Sequence, residues 1–425
     1  MRKIFLVIPA LILFQAGARA TAPDSLSIKN DVYNAEDGFF HKAYRDASDP
    51  TFMFTDSKGD FSFGIGGTVV ASAYYDIKGS IGSYMFNTSS ISVPTDPSRH
   101  IGFTCTGSNV YLKARTNKSK VKVSAYLELT GAEANFTDYM FLQQAYLSVG
   151  RFSIGKTYSF FTDLEAGVRT VDLRGPNTQI YNIHPLIGYS QSIGKHLSFG
   201  AAVEQPSEIS SYYQGSANVS ADYSRLPDVA ARIKYRGDKG HIQLSAIYRE
   251  LSYWASNTGF VIGQGKTFYK SAYGVSVGAS LRPFKNFTIS GQGVYGKGIA
   301  TYVQDLSDQT VNLLLEDSPT DEGYSALTPA PVHGGFIGAS YGFADRFEAS
   351  AVYGTCNLTK KDDQKAGSTF KNTQYASFNL FYFVSKSCMA GFAYTTGRKH
   401  IYTTTSSEDS MGKANRINAY FVYRF

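Results

Sequence analysis

The chain is short of several things, and each shortage closes off a class of protein. Among 425 residues it has 3 Cys, 13 Pro and 1 Trp. Cys105, Cys356 and Cys388 are odd in number, widely scattered and without metal-ligand spacing, so they define neither a disulfide framework nor a metal site. Beyond residue 20 there is no run of roughly 20 apolar residues, which excludes a helical membrane protein. No Lys/Arg-rich stretch tracks a phosphate backbone, so nucleic acid is not an expected partner. No motif for a cofactor survives scrutiny. Gly338–Gly342 fits G-x-S-x-G around Ser340, but a nucleophile elbow requires a strand followed by a helix, and here a turn follows. Gly291–Gly296 fits G-x-G-x-x-G in mid-strand, with no helix to face a phosphate. The seven His residues are isolated from one another, so no metal site is expected.

What is abundant is aromatic and small: 31 Tyr, 30 Phe and 40 Gly at a mean hydropathy of −0.20. Such a composition favours an all-β protein. Arg2 and Lys3, the apolar run Ile4–Phe14 and the small residues Ala18-Arg19-Ala20 make residues 1–20 a secretory signal peptide. Its removal takes three cations and lowers the formal charge from +7 to +4. Residues 21–60 lack a regular pattern and are expected to be an N-terminal periplasmic or plug segment.

From Phe61 the chain alternates. Phe61, Phe63, Ile65, Val69, Ala71 and Tyr75 fall on one face, with Ser62, Thr68, Ser72, Tyr74 and Asp76 on the other. About sixteen such stretches follow one another, at 61–76, 102–114, 120–131, 139–149, 151–157, 185–192, 196–205, 228–236, 240–250, 271–282, 286–298, 333–342, 346–358, 372–384, 388–398 and 415–425. Short, turn-rich links such as Gly194–Lys195, Gly237–Gly240 and Phe343–Asp345 alternate with long ones at 77–101, 158–184, 206–227, 251–270, 299–332, 359–371 and 399–414; only 132–138 is short among the latter. An even number of strands with short turns at one end and long loops at the other is the pattern of a transmembrane antiparallel β-barrel, here assigned to 61–425. In hydrocarbon every backbone polar group must pair within the protein, so such a sheet has to close. Sixteen strands leave an interior wide enough for water.

Two stretches carry a resemblance. The final strand, Arg416–Phe425, puts Ile417, Ala419, Phe421, Tyr423 and Phe425 on one face and resembles the closing strand of bacterial outer-membrane barrels, whose terminal aromatic, Phe425 here, engages the barrel assembly machinery. The link from Thr157 to Pro185 joins the fifth and sixth strands, and in sixteen-stranded porins the loop at that position folds into the lumen and narrows it. Phe141–Tyr146, Gly155–Asp163, Asp172–Pro176 and Gly59–Asp76 are similar to the corresponding segments of the DcaP-like trimeric porins. The resemblance implies a homotrimer in the outer membrane of a Gram-negative bacterium, in contact with its lipids, conducting small hydrophilic solutes that are often anionic, such as dicarboxylates. Gln143 and Gln144 depart from it, standing where a basic pair is expected, and no heptads mark a coiled-coil extension in 21–60.

The pore constriction is therefore expected from Asp163, Glu165, Arg169, Asp172 and Arg174 of the inward-folded loop. Opposite stand the wall cations Lys113, Arg115, Arg232, Lys234, Arg249 and Arg416, with a water path between the two sets. Phe160, Phe161 and Leu164 are expected to anchor the loop. Two alternatives share the architecture: a plugged barrel whose surface loops bind a partner, and an outer-membrane hydrolase, such as a lipase or protease, using Ser340 or another serine with a histidine at the rim.

Overall fold

Side chains of an extended chain point alternately to opposite faces, and a strand whose two faces differ in polarity is stable only where those faces meet different media. The computed structural model describes residues 52–81, 83–134, 137–206, 219–256, 265–307, 311–316, 320, 323–359, 369–402 and 411–425. The expected signal peptide and residues 21–51 of the expected N-terminal segment lie outside them.

The wall consists of β1 (Phe61–Lys78), β2 in two pieces (His100–Thr104 and Asn109–Thr116), β3 (Val123–Ala134), β4 (Thr137–Val149), β5 (Phe152–Tyr158), β6 (Ile183–Ile193), β7 (Leu197–Glu204) and β8 (Asp228–Gly237). It continues through β9 (Gly240–Ser256), β10 (Gly265–Phe284), β11 (Phe287–Lys297), β12 (Pro331–Phe343), β13 (Phe347–Leu358), β14 (Thr369–Phe383), β15 (Cys388–Tyr402) and β16 (Met411–Arg424). Each strand pairs antiparallel with the next, and β16 pairs with β1 from Thr68↔Arg424 to Lys78↔Asn415, so the sheet is a closed sixteen-stranded barrel. At the seam Phe425 and Gly67 exchange both backbone hydrogen bonds at 3.0 Å. Below that point a short strand, Phe52–Thr55, pairs with Ser62–Ile65 of β1, so the end of the expected N-terminal segment adds to the sheet.

The wall has the polarity of a membrane protein. Outward residues such as Leu244, Val277, Ile337, Phe378 and Phe392 are each about half exposed, whereas the alternate positions Gln243, Ser276, Ser350, Ser377 and Thr395 are buried. Outward aromatics run from strand to strand near the short turns: Phe284, Phe287, Tyr341, Phe343, Phe347 and Tyr382 lie 5.0 to 6.5 Å apart between successive ring centroids. Toward the other end Tyr248, Tyr273, Tyr295 and Tyr353 face outward. Two aromatic rings bounding an aliphatic band match the interfaces and core of a bilayer.

The structure corrects the sequence reading in two places. The stretch 251–270, expected as a long link, is mostly wall: β9 and β10 stay paired to Ser256↔Gly265, with Tyr253 stacked on Phe268 at 5.3 Å. Serines there mimic a loop, but aromatic cross-strand pairs keep the ladder going. The second strand is broken at Cys105–Ser108, where Gly107 takes φ +89 and Ser108 Oγ replaces a ladder partner for the Val70 amide at 3.0 Å.

Candidate functional site

β5 is only seven residues long, so the link to β6 leaves the wall part-way up and turns inward. Its first residues show why. The Phe160 ring lies over Gly188 and Gly200 of β6 and β7, where a Cβ on either glycine would overlap it, and the Arg232 guanidinium covers it at 4.1 Å. Glu204 accepts from the Phe160 amide and from Ser159 Oγ, both at 2.8 Å. A short 3-10 turn, Leu164–Ala166, with Asp163 at its N-cap position and containing Glu165, presents these two carboxylates to β8 and β9. Lys234 Nζ stands 3.2 Å from both Asp163 and Glu165, His241 Nε2 is 2.9 Å from Asp163, and Arg236 is paired with Glu165. Burial opposes the ionisation of both carboxyls, but Lys234 and His241 at Asp163, and Lys234, Arg236 and His241 at Glu165, outweigh it and hold both below the ordinary carboxylate range.

The link then crosses to the far wall. Ser350 Oγ donates to the Arg169 carbonyl, the Val171 amide donates to Asn379 Oδ1 at 2.9 Å, and Asn177 Nδ2 donates to Thr373 Oγ1 at 3.0 Å. Asp172 collects the amides of Arg174, Gly175 and Phe86 and the hydroxyl of Tyr375. Burial raises the Asp172 carboxyl above its usual range against the pull of those hydrogen bonds.

Two further links meet this one inside the barrel. Residues 298–307 follow β11 and run antiparallel to 177–181: the Tyr181 amide donates to Tyr302 O, Gln304 N to Gln179 O and Asp305 N to Asn177 O, each at 3.0 Å. Residues 84–91 follow β1 and bring Phe86 to Asp172 and Thr88 to Asp305, which also accepts from Thr373 Oγ1. Phe160, Phe161, Ile180, Ile299, Tyr302, Val303 and Leu306 are completely buried within the joint apolar cluster.

The residues nominated from sequence line the interior of the barrel, and the loop carboxylates Asp163 and Glu165 meet wall cations directly. Arg169 is buried 3.7 Å from Glu348, with its guanidinium over the Phe381 and Phe383 rings. Arg174 donates to Gln304 O at 2.7 Å and so ties two links together. Arg232 covers Phe160, and Lys113 is 8% exposed. Arg416, fully buried, grips Asp76 at 2.6 and 2.9 Å directly across the seam, under Tyr74 and Phe86. Lys234 is the nominated wall cation in direct contact with the loop carboxylates, while Arg249 and Arg416 pair with the wall carboxylates Asp228 and Asp76, because charges brought out of water must meet a partner. Phe160, Phe161 and Leu164 are buried as anchors.

The sequence reading missed Glu204, Asp228, His184, Tyr302 and Asp305. The first three lie inward on their strands, so parity alone could have nominated them. Gln143 and Gln144 both face inward because the ladder slips between Glu128 and Leu129. Gln144 donates to Glu128 at 2.8 Å, and Gln143 to the Tyr181 hydroxyl at 3.2 Å. Ser340 lies in β12 just ahead of a hairpin turn, Gly291–Gly296 lies within β11, and no group of metal-ligating side chains occurs among the described residues.

A closed wall of sixteen antiparallel strands, apolar outside, polar within and entered by its own links, defines the fold of an outer-membrane porin. The chain superimposes with a TM-score of 0.71 and 17% identity on the outer-membrane channel DcaP of Acinetobacter baumannii, covering 88% of this chain and 99% of that one. It is similar at 0.55 and 12% identity to the anion-selective porin from Comamonas acidovorans, over 86% and 100% of the two chains. A trimer form of OmpT, an outer-membrane protein of Vibrio cholerae, aligns at 0.51 and 11% over the same shares. No known protein-family pattern matches the sequence, and no curated protein matches it by sequence.

Proposed function

We propose that the protein is an outer-membrane porin through which small hydrophilic solutes diffuse passively. The observation that carries this reading is the inverted polarity of a closed wall: greasy where lipid would lie, and lined by Ser, Thr, Gln, Asn, Lys and Arg inside. Passive diffusion needs no chemistry. The three inward links narrow the lumen, and Asp163, Glu165, Arg169, Asp172 and Arg174, with Lys113, Arg232 and Arg416, set the electrostatics of the narrowed zone. Arg115, Lys234 and Arg236 add cations to that zone, which suits small anions such as dicarboxylates. Three copies assemble in the outer membrane of a Gram-negative cell. The signal peptide directs secretion, and Phe425 presents the closing strand to the assembly machinery.

Purified protein in planar bilayers tests the reading: stepwise conductance in high salt is expected. Liposomes loaded with the protein should admit dicarboxylates faster than neutral sugars of equal size. A specific observation favours one rival. The links bury Phe160, Phe161, Ile299 and Leu306 completely, as a plugged barrel that binds partners through its surface loops would require. Electrical silence of a folded preparation would overturn the porin and leave the plugged barrel.

A further inference from the structure

Glu204 ends β7 facing inward, 1% exposed. Three donors converge on its carboxylate at 2.8 Å each, Ser159 Oγ, the Phe160 amide and His184 Nε2, and the Tyr302 hydroxyl, whose one proton is shared with Asp228, stands at 3.4 Å. The first two open the link between β5 and β6, His184 sits where that link rejoins the wall, and Tyr302 belongs to the link between β11 and β12. Directly opposite Glu204 in the ladder stands Asp228, whose Oδ2 accepts from the same Tyr302 hydroxyl at 2.9 Å and from Arg249 Nε at 2.8 Å. Arg249 returns to the second link, donating to Gly298 O at 2.9 Å and to Thr301 Oγ1 at 3.0 Å. Both links therefore start from one pair of wall carboxylates before they zip together at 177–181 and 302–305.

We propose that Glu204 is the positioning residue that fixes the inward pose of both links. It is an acceptor-only group with about four lone-pair sites, and two links supply the matching donors. Truncating it leaves a buried amide, the Ser159 hydroxyl and the His184 imidazole to find other partners, while Tyr302 keeps Asp228, and the link beginning at Ser159 loses the tether at both its ends. The inference rests on the porin reading only for its electrical consequence; the tethering is a property of the fold.

The test uses full-length folded protein in detergent, comparing wild type, Glu204→Ala and Glu204→Gln. Hydrogen exchange is followed at the Tyr181 and Gln304 amides, which bridge the links, and at β13–β14 amides as the wall reference. Glu204→Ala should speed exchange of the bridging amides roughly tenfold, the effect of losing one charge-assisted hydrogen bond, and leave β13–β14 at the wild-type rate. Glu204→Gln, which keeps one acceptor oxygen, should show less than half of that on a logarithmic scale. Single-channel records of Glu204→Ala should show larger and noisier open-state current. Unchanged exchange at Tyr181 and Gln304 would overturn the proposal, and so would equal acceleration in β13–β14, which would make Glu204 an ordinary stability residue. If the exchange result holds while wild type passes no current, the tether stands and the porin reading falls. Should Glu204→Ala not fold, Ser159→Ala, which removes one donor to Glu204 and leaves Tyr302 on Asp228, is judged by the same exchange criteria.

Discussion

At Asp163 and Glu165 a pair of carboxylates lies against a wall of cations, and removing the carboxylates does two things at once. Asp163→Asn with Glu165→Gln leaves Lys234, Arg236 and His241 without their counter-charges, so the reversal potential in a salt gradient is expected to move toward anions. An unmoved potential would place these residues away from the ion path. The same change breaks a buried charged pair, at a cost of about 3–5 kcal/mol in the hold on the link. The pH response follows from the signs. A carboxyl depressed in the folded state gives stability that is present above its unfolded pKa, about 4, and lost as the pH falls through its folded value; Asp163 and Glu165 behave this way. Asp172, raised by burial, contributes stability that is complete below its unfolded pKa and lost as the pH rises through its folded value. Protection of the Tyr181 and Gln304 amides, corrected for intrinsic exchange, should therefore be greatest near the unfolded carboxyl pKa, about 4, and decline on both sides. Asp172→Asn should abolish the decline on the alkaline side while leaving the acid limb. A monotonic profile in wild type would contradict these assignments.

Between single residues and the barrel stand the links, and here the legibility of the sequence divides. The strands were readable because period-2 alternation is written in adjacent residues, and the short turns at Gly194, Gly237–Gly240 and Phe343–Asp345 punctuate it. The inward course of 159–182 was expected only from the resemblance to sixteen-stranded porins, since nothing in its own residues marks it. Its docking was not. Phe86 meets Asp172 across 86 positions and Thr88 meets Asp305 across 217, contacts that exist only because the wall closes and leave no local pattern. The joining of 177–181 to 302–305 belongs to the same class, since neither strip alternates strongly enough to announce a partner. The seat of Phe160 shows how far such docking depends on small residues: Gly188 and Gly200 look like unremarkable strand glycines until a ring is found lying on them. Gly188→Val should overpack this seat by about 1–3 kcal/mol. The loss should register as a lower temperature for the unfolded-barrel band in gels, and Phe160→Leu, which shortens the intruding ring, should recover part of it. No change in Gly188→Val would mean that the ring can leave its seat freely.

At the scale of the whole molecule the outer face is built to meet hydrocarbon between two aromatic rings, and β10 provides the ruler. Tyr273 faces outward in the upper ring and Phe284 in the lower, eleven residues apart. At about 3.4 Å per residue and a tilt of about 45°, that span covers roughly 26 Å along the membrane normal, close to the apolar band of a transmembrane barrel. Val277 lies near the middle of the span and is 47% exposed, while its neighbour Ser276 points inward and is buried. An arginine on the lipid face at mid-depth costs about 2–4 kcal/mol, falling to about 0–1 near an interface. Val277→Arg should therefore destabilise the barrel in lipid vesicles by about 2–4 kcal/mol, measured by reversible denaturant unfolding, whereas Phe284→Arg should lose only the packing of Phe284 on Phe287 and little from charge. In a water-soluble sheet the order would reverse: an exposed valine replaced by arginine costs almost nothing, and the aromatic contact would be the larger loss. The comparison of the two variants thus reads out which medium the outer wall is built to face, independently of whether any solute passes through the interior.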